Sequence, residues 1–211
     1  MASKKMVEIR PPNYQIAEFV IRGTEYYVSN AFSQEAFNVM RAKQAAGAGQ
    51  PKPPKTAKDF GRAYLGSMHR SSEGWYGLPA AAIQAALVRA SKYAGHVMKD
   101  AKCCILALRD GFDESNPLIG IIRITGEPEK NEMPARNDNG SCDIRSRGVW
   151  APGWQARIRI RYDADYFSLE SVAGLLHRAG MSIGIGAGRP DSKESTGQGW
   201  GLFEIVSDAS V

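Results

Sequence analysis

The sequence has little of what most enzyme and secretory classes require. Three cysteines, Cys103, Cys104 and Cys142, are an odd number without zinc-type spacing, which argues against a disulfide framework or a structural zinc site. Three histidines, His69, His96 and His177, lie far apart, and none sits in a nucleophile or zinc motif. No serine elbow, Walker loop or HExxH helix occurs. No apolar run approaches the roughly 20 residues of a membrane helix, and the N-terminus carries no apolar signal core. The expectations are a reduced, cytoplasmic chain with no membrane segment, no cofactor and no metal, and a binding protein is favoured over an enzyme.

What is present suits one elaborated domain spanning 1–211. Of the 211 residues, 43% are hydrophobic, enough to bury a core, and the 23% charged share is that of a globular protein rather than a polyelectrolyte. The formal net charge is +5, which permits contact with nucleic acid without requiring it. Its distribution is more informative. Arg41, Lys43, Lys52, Lys55, Lys58 and Arg62 fall in a window whose only acid is Asp59. Arg136, Arg145, Arg147, Arg157, Arg159 and Arg161 form a second basic region. The plain alternative is two solvated faces.

Periodicity and punctuation give the element order. Tyr14 to Val28 is rich in β-branched and aromatic residues, as a long strand or a hairpin turning near Gly23. Ser33 is placed to cap a helix over Gln34 to Ala46, and a short helix is expected over Ala57 to Met68. The Pro/Gly-rich segment 47–56 between them reads as a flexible basic loop. Pro79 opens an Ala-rich helix that Gly95 ends. Cys103 to Leu108 and Leu118 to Ile124 read as strands. Residues 126–153 are polar and Pro/Gly-punctuated, hence a long loop or irregular insertion. Ser168 caps a helix from Leu169 to Ala179, which Gly180 ends, and strands at Ser182 to Ile185 and Trp200 to Val206 finish the chain. That order predicts an α+β fold: an antiparallel sheet with helices on one face, ferredoxin-like or RNA-recognition-like, with inserted loops.

Two features point to a surface. In Gln155 to Tyr162, Arg157, Arg159 and Arg161 alternate with Ile158, Ile160 and Tyr162, so one face is cationic and the other can be buried. At about 3.3 Å rise per residue, successive guanidinium groups stand about 6–7 Å apart, the repeat of a nucleic-acid backbone. Trp150, Trp154, Tyr162 and Tyr166 are nearby candidates for stacking, and Trp75-Tyr76 adds an aromatic pair. The second feature is the glycine density of Met181 to Pro190 and Gly197 to Gly201. It implies positive φ angles or a close approach of the main chain to a ligand, a neighbouring subunit or the protein's own helix.

Gly77-Leu-Pro-Ala-Ala-Ala-Ile-Gln-Ala-Ala-Leu87 and the Gly184 to Phe203 segment together resemble the RAMP superfamily. Its members are backbone and processing subunits of CRISPR effector complexes. The first segment is similar to their proline-started helix, the second to their glycine-rich loop before a Gly-x-Gly-x-Phe strand. The same pattern is similar to phage-type proteins with an Arg-Pro…Gly-x-Phe ending. The RAMP resemblance implies a modified RNA-recognition fold that binds single-stranded RNA or DNA, with copies lining up along the strand. No histidine stands where the processing nucleases carry theirs, so cleavage is not carried over.

The expected function is therefore backbone-directed binding of single-stranded nucleic acid, with a homo-oligomer or a host protein complex as further partners. The candidate contacts are Arg157, Arg159, Arg161, Lys52, Lys55, Lys58, Arg145, Arg147, Gly186, Gly188 and Arg189. Two alternatives stay open: a phage-type inhibitor that occupies a host protein complex, and a metal-independent endoribonuclease centred on His69.

Overall fold

The computed structural model describes residues 11–47, 57–136, 142–192 and 197–206. The chain opens with β1 (Tyr14–Gly23) and β2 (Tyr27–Val28), then α1 (Gln34–Ala46) and α2 (Phe60–Leu65). β3 (His69–Arg70) and β4 (Tyr76–Pro79) lead into α3 (Ala80–Tyr93) and α4 (Met98–Cys104). β5 (Ile105–Leu108), β6 (Gly111–Asp113) and β7 (Asn116–Arg123) follow, then the antiparallel pair β8 (Glu129–Arg136) and β9 (Cys142–Trp150). β10 (Gln155–Asp163), α5 (Leu169–Arg178), one π-helical turn (Ala179–Ile183) and β11 (Phe203–Val206) complete the described chain.

The central sheet runs β11-β1-β10-β5, with every neighbouring pair antiparallel. Counted along the chain, these are its fourth, first, third and second strands. α3 lies between the first and second strands and α5 between the third and fourth, so the frame is β-α-β-β-α-β. The predicted antiparallel α+β architecture is the one observed. Its cause is the alternation in β10: Ala156, Ile158, Ile160 and Tyr162 are buried, while the arginines between them face outward. Ile83 and Leu87 of α3 and Val172, Leu175 and Leu176 of α5 join the same core cluster as those strand residues. Each such side chain contributes about 1.5–3 kcal/mol by leaving water. Among the described residues the helices pack on one face of the sheet, and the opposite face presents the exposed Ile16, Leu106 and Arg157.

Two insertions decorate this frame. Elements β2 to β4 interrupt the path from β1 to α3, and β6 to β9 interrupt the path from β5 to β10. They assemble two further sheets, β2-β9-β8 and β3-β4-β7-β6.

Several expectations are corrected here. Residues 126–153 are largely two paired strands, β8 and β9, rather than an irregular loop. β8 is an edge strand, and the first half of β9 alternates exposed with half-buried residues, a polar pattern that a search for apolar alternation passes over. β1 and β2 do not form a hairpin, because β2 pairs with β9. Cys103 and Cys104 end the helix α4 rather than lying in a strand, and both are free thiols. Gly180 does not end α5 cleanly: it sits in the π-helical turn, which also replaces the expected strand at Ser182 to Ile185. Of the expected flexible loop 47–56, all but Gly47 lies outside the described residues.

Candidate nucleic-acid interface

The face of the central sheet opposite the helices is built by cross-strand register. Arg161, Arg159 and Arg157 of β10 lie opposite Ile16, Glu18 and Val20 of β1. On the other side, Leu106 and Leu108 of β5 lie opposite Arg161 and Arg159. The face therefore carries the predicted arginine row on an inner strand, flanked by the exposed apolar side chains of Ile16 and Leu106.

Each guanidinium is already oriented by a neighbour. Arg157 Nη1 meets Glu18 Oε1 at 3.1 Å, and its side chain is 69% exposed. Arg159 Nη2 meets Asp110 Oδ1 at 3.0 Å and donates to the Arg109 carbonyl at 2.8 Å. Arg161 stacks its guanidinium over the Tyr14 ring, 4.5 Å from the centroid. Ion pairs this exposed hold their partners weakly, by about 0–1 kcal/mol. An incoming phosphate therefore competes with Glu18 and Asp110 at small cost, while the arginines stay pre-aimed.

The other predicted residues lie elsewhere. Lys58 is held by both carboxylate oxygens of Asp143, at 3.0 and 2.9 Å, and donates to the Ile144 carbonyl. That lysine keeps the Asp143 carboxyl below its ordinary range. Arg145 and Arg147 are on β9, in the β2-β9-β8 sheet, so the structure does not join them to the β10 row. Burial, and then the charge of Arg145, lower the Arg147 guanidinium from its usual value. Lys52 and Lys55 lie outside the described residues.

Gly186 and Gly188 are explained by the protein's own packing. Both have positive φ, 78° and 69°. A Cβ on Gly186 would lie 2.6 Å from the Val28 carbonyl oxygen, and one on Gly188 would lie 2.2 Å from the Trp200 ring. Around them the amides of Ile185, Ala187 and Gln198 donate to carbonyls of Gly201, Val28 and Gly188. Arg189 Nη1 donates back to the Gly186 carbonyl at 3.0 Å. The close approach that the glycine density implied is an approach to the chain itself.

The aromatic expectations also divide. Trp150 and Trp154 are 1% and 3% exposed and pack against Tyr27, so neither offers a stacking surface, and Tyr162 is likewise buried. Tyr166 is exposed, and Trp75 is half-buried at a cleft. That cleft, about 1010 Å³, lies beside the arginine row and includes Arg157 among its walls. Phe112, Arg123 and Asp110 reach it from β6, β7 and the turn before β6, and Glu73 and Glu114 from the turns between β3 and β4 and between β6 and β7. Their scatter along the chain hid them from motif reading.

His69 is buried, and its Nδ1 donates to Asp113 Oδ2 at 2.6 Å, tying β3 to β6. Burial by itself would raise the Asp113 carboxyl, but hydrogen bonds from Ser115 and His69 outweigh it and hold the group below the ordinary range. No group of three or more His, Cys, Asp or Glu side chains suited to a metal ion occurs among the described residues. No described helix is long and apolar enough to cross a membrane.

No protein-family model matches the chain, and no curated protein matches it. Among solved structures it is similar to a chain in the cryo-EM structure of the Type III-B Cmr-beta bound to cognate target RNA, with a TM-score of 0.47 and 12% sequence identity. The match covers 92% of this chain and 60% of that chain, so the protein spans about 60% of the solved chain's length.

Proposed function

We propose that the protein binds single-stranded nucleic acid, RNA or DNA, as a binding module working through the face of its central sheet opposite the helices. The observation that carries this reading is the row Arg157, Arg159 and Arg161 on the inner strand β10, on the sheet face that no described helix covers. Guanidinium forks suit phosphate oxygens, and the row's spacing suits a strand laid along β10. Tyr14, Ile16 and Leu106 supply exposed apolar and aromatic surface beside it, for unstacked bases. A duplex presents no unstacked bases, so the face favours single strands.

The test is fluorescence anisotropy with labelled single-stranded RNA, single-stranded DNA and duplex DNA at low and moderate salt. The double variant Arg157→Ala, Arg159→Ala is expected to lose about tenfold in affinity. Its log–log salt slope should shrink by about 1.4, the share of two single-strand phosphates. Unchanged affinity in that variant would place the site elsewhere, and absence of any binding at low salt would remove the reading.

A second reading, docking on a protein partner, is favoured by α1. This helix buries no residue and exposes Phe37, Val39 and Met40. Loss of the strand-binding reading would leave this one.

A further inference from the structure

We propose that the cleft beside the arginine row seats one base of the bound strand, unstacked from its neighbours and laid on Trp75, with its phosphate at Arg123 and Arg157. The proposal rests on the strand-binding reading and names what the adjoining cavity takes. At about 1010 Å³ the cleft has room for a nucleotide, and it opens next to the face where the strand would run.

Trp75 is fixed as a plate. Its Nε1 donates to Glu73 Oε2 at 3.1 Å, and its six-membered ring packs so closely on Gly111 that a Cβ there would lie 2.9 Å from Cζ2. The ring is half-buried and forms part of the cleft wall, the arrangement a stacking base needs. Arg123 and Arg157 are both exposed, and the bridge between Ile124 and Ala156 brings their strands together at one end of the cleft. Asp113 and Glu114 lie at the far end of the β6–β7 hairpin, where Asp113 bridges Ser71 and the Glu114 amide donates to the Arg70 carbonyl, and Glu73 follows in the turn after β3. Asp110 lies at the arginine end, accepting from the Arg123 amide and Arg159.

That asymmetry orients the ligand. A phosphate is repelled from the acidic far end and drawn to the two arginines, so the base points inward. Asp113 is engaged by His69 and Ser115, and Asp110 by Arg159 and the Arg123 amide. Glu73 is engaged by Trp75, so Glu114 is left as the acceptor for an incoming group. Carboxylates accept from exocyclic amino groups and repel carbonyl oxygens. The cleft therefore takes an amino-bearing base, cytosine, adenine or guanine, in preference to uracil or thymine.

The experiment compares oligo-C, oligo-U and a sugar–phosphate strand of abasic sites by anisotropy. Wild type should bind oligo-C at least about tenfold more tightly than the abasic strand, the contribution of one aromatic stack. Trp75→Ala should lower oligo-C affinity about tenfold, the share of one stack, while leaving abasic affinity and the salt slope unchanged, and Trp75→Phe should restore most of the loss. The exposed Glu114→Gln should abolish the preference for oligo-C over oligo-U without disturbing the fold. Equal oligo-C affinity in wild type and Trp75→Ala overturns the cleft proposal, while a loss in Arg157→Ala, Arg159→Ala alone keeps the strand reading. If no strand binds, calorimetry with cytidine monophosphate decides separately. A saturable heat that Trp75→Ala abolishes supports the cleft, and none overturns it.

Discussion

Asp113 shows how a single buried group sets a local condition on the fold. Its carboxylate accepts from His69 Nδ1 at 2.6 Å and from the Ser115 amide at 2.8 Å, inside the sheet that walls the cleft. Replacing it by Asn removes the ionised acceptor from a buried site, which is expected to cost about 2 kcal/mol. The sign of the pH dependence follows from the lowered carboxyl. A folded-state value below the unfolded one, about 3.9, gives stability that is fully present above that value. It is lost as pH falls through the lower folded value. Thermal unfolding followed by circular dichroism at pH 7 and pH 3 checks both points. Wild type should lose more of its margin on acidification than Asp113→Asn, which starts lower and lacks this group's contribution.

Among elements, α1 and β10 make opposite cases. β10 is legible because Ile158, Ile160 and Tyr162 alternate with arginines, and the strand forms where that pattern says, with the buried set inward. α1 is equally legible from Ser33, whose Oγ accepts from the Ala36 amide at 3.2 Å. Yet the apolar Phe37 and Met40 of α1 are exposed and the helix buries no residue. Ser33→Ala should therefore weaken α1 by about 1 kcal/mol without moving the global melting temperature. Hydrogen exchange should show faster amides in 34–46, with protection in the central sheet unchanged. A matching fall in the melting temperature would mean that α1 is coupled to the core after all. Residues 126–153 show where reading by pattern fails: β8 and β9 are polar strands whose identity comes from pairing with each other.

On the scale of the molecule, charge is sorted rather than pooled. The β10 row lies on the face of the central sheet opposite the helices, whereas Lys58, Arg145 and Arg147 cluster at β9. Lys58 pairs with Asp143 on β9, a strand of a different sheet from β10, so it lies off the proposed path of the strand. Lys58→Ala is expected to leave single-strand affinity within about twofold and the salt slope within about 0.7, one phosphate's share. A loss as large as that of the β10 double variant would extend the site across both sheets.

The local alphabet determined the helices at Gln34–Ala46 and Ala80–Tyr93, the amphipathic β10 and the α+β class, because caps and 2.0 or 3.6 periodicities act over a few residues. The destination of each element was decided only by tertiary packing. Trp150 and Trp154 went into the core because Tyr27 and Phe203, distant in sequence, supplied a pocket for them. Gly186 and Gly188 turned inward because Val28 and Trp200 came within contact. The cleft needed Trp75, Phe112, Arg123 and Arg157 from four separate stretches of chain. Long-range contacts of that kind carry no local periodicity, so the arginine row was visible in the sequence and the cleft beside it was not.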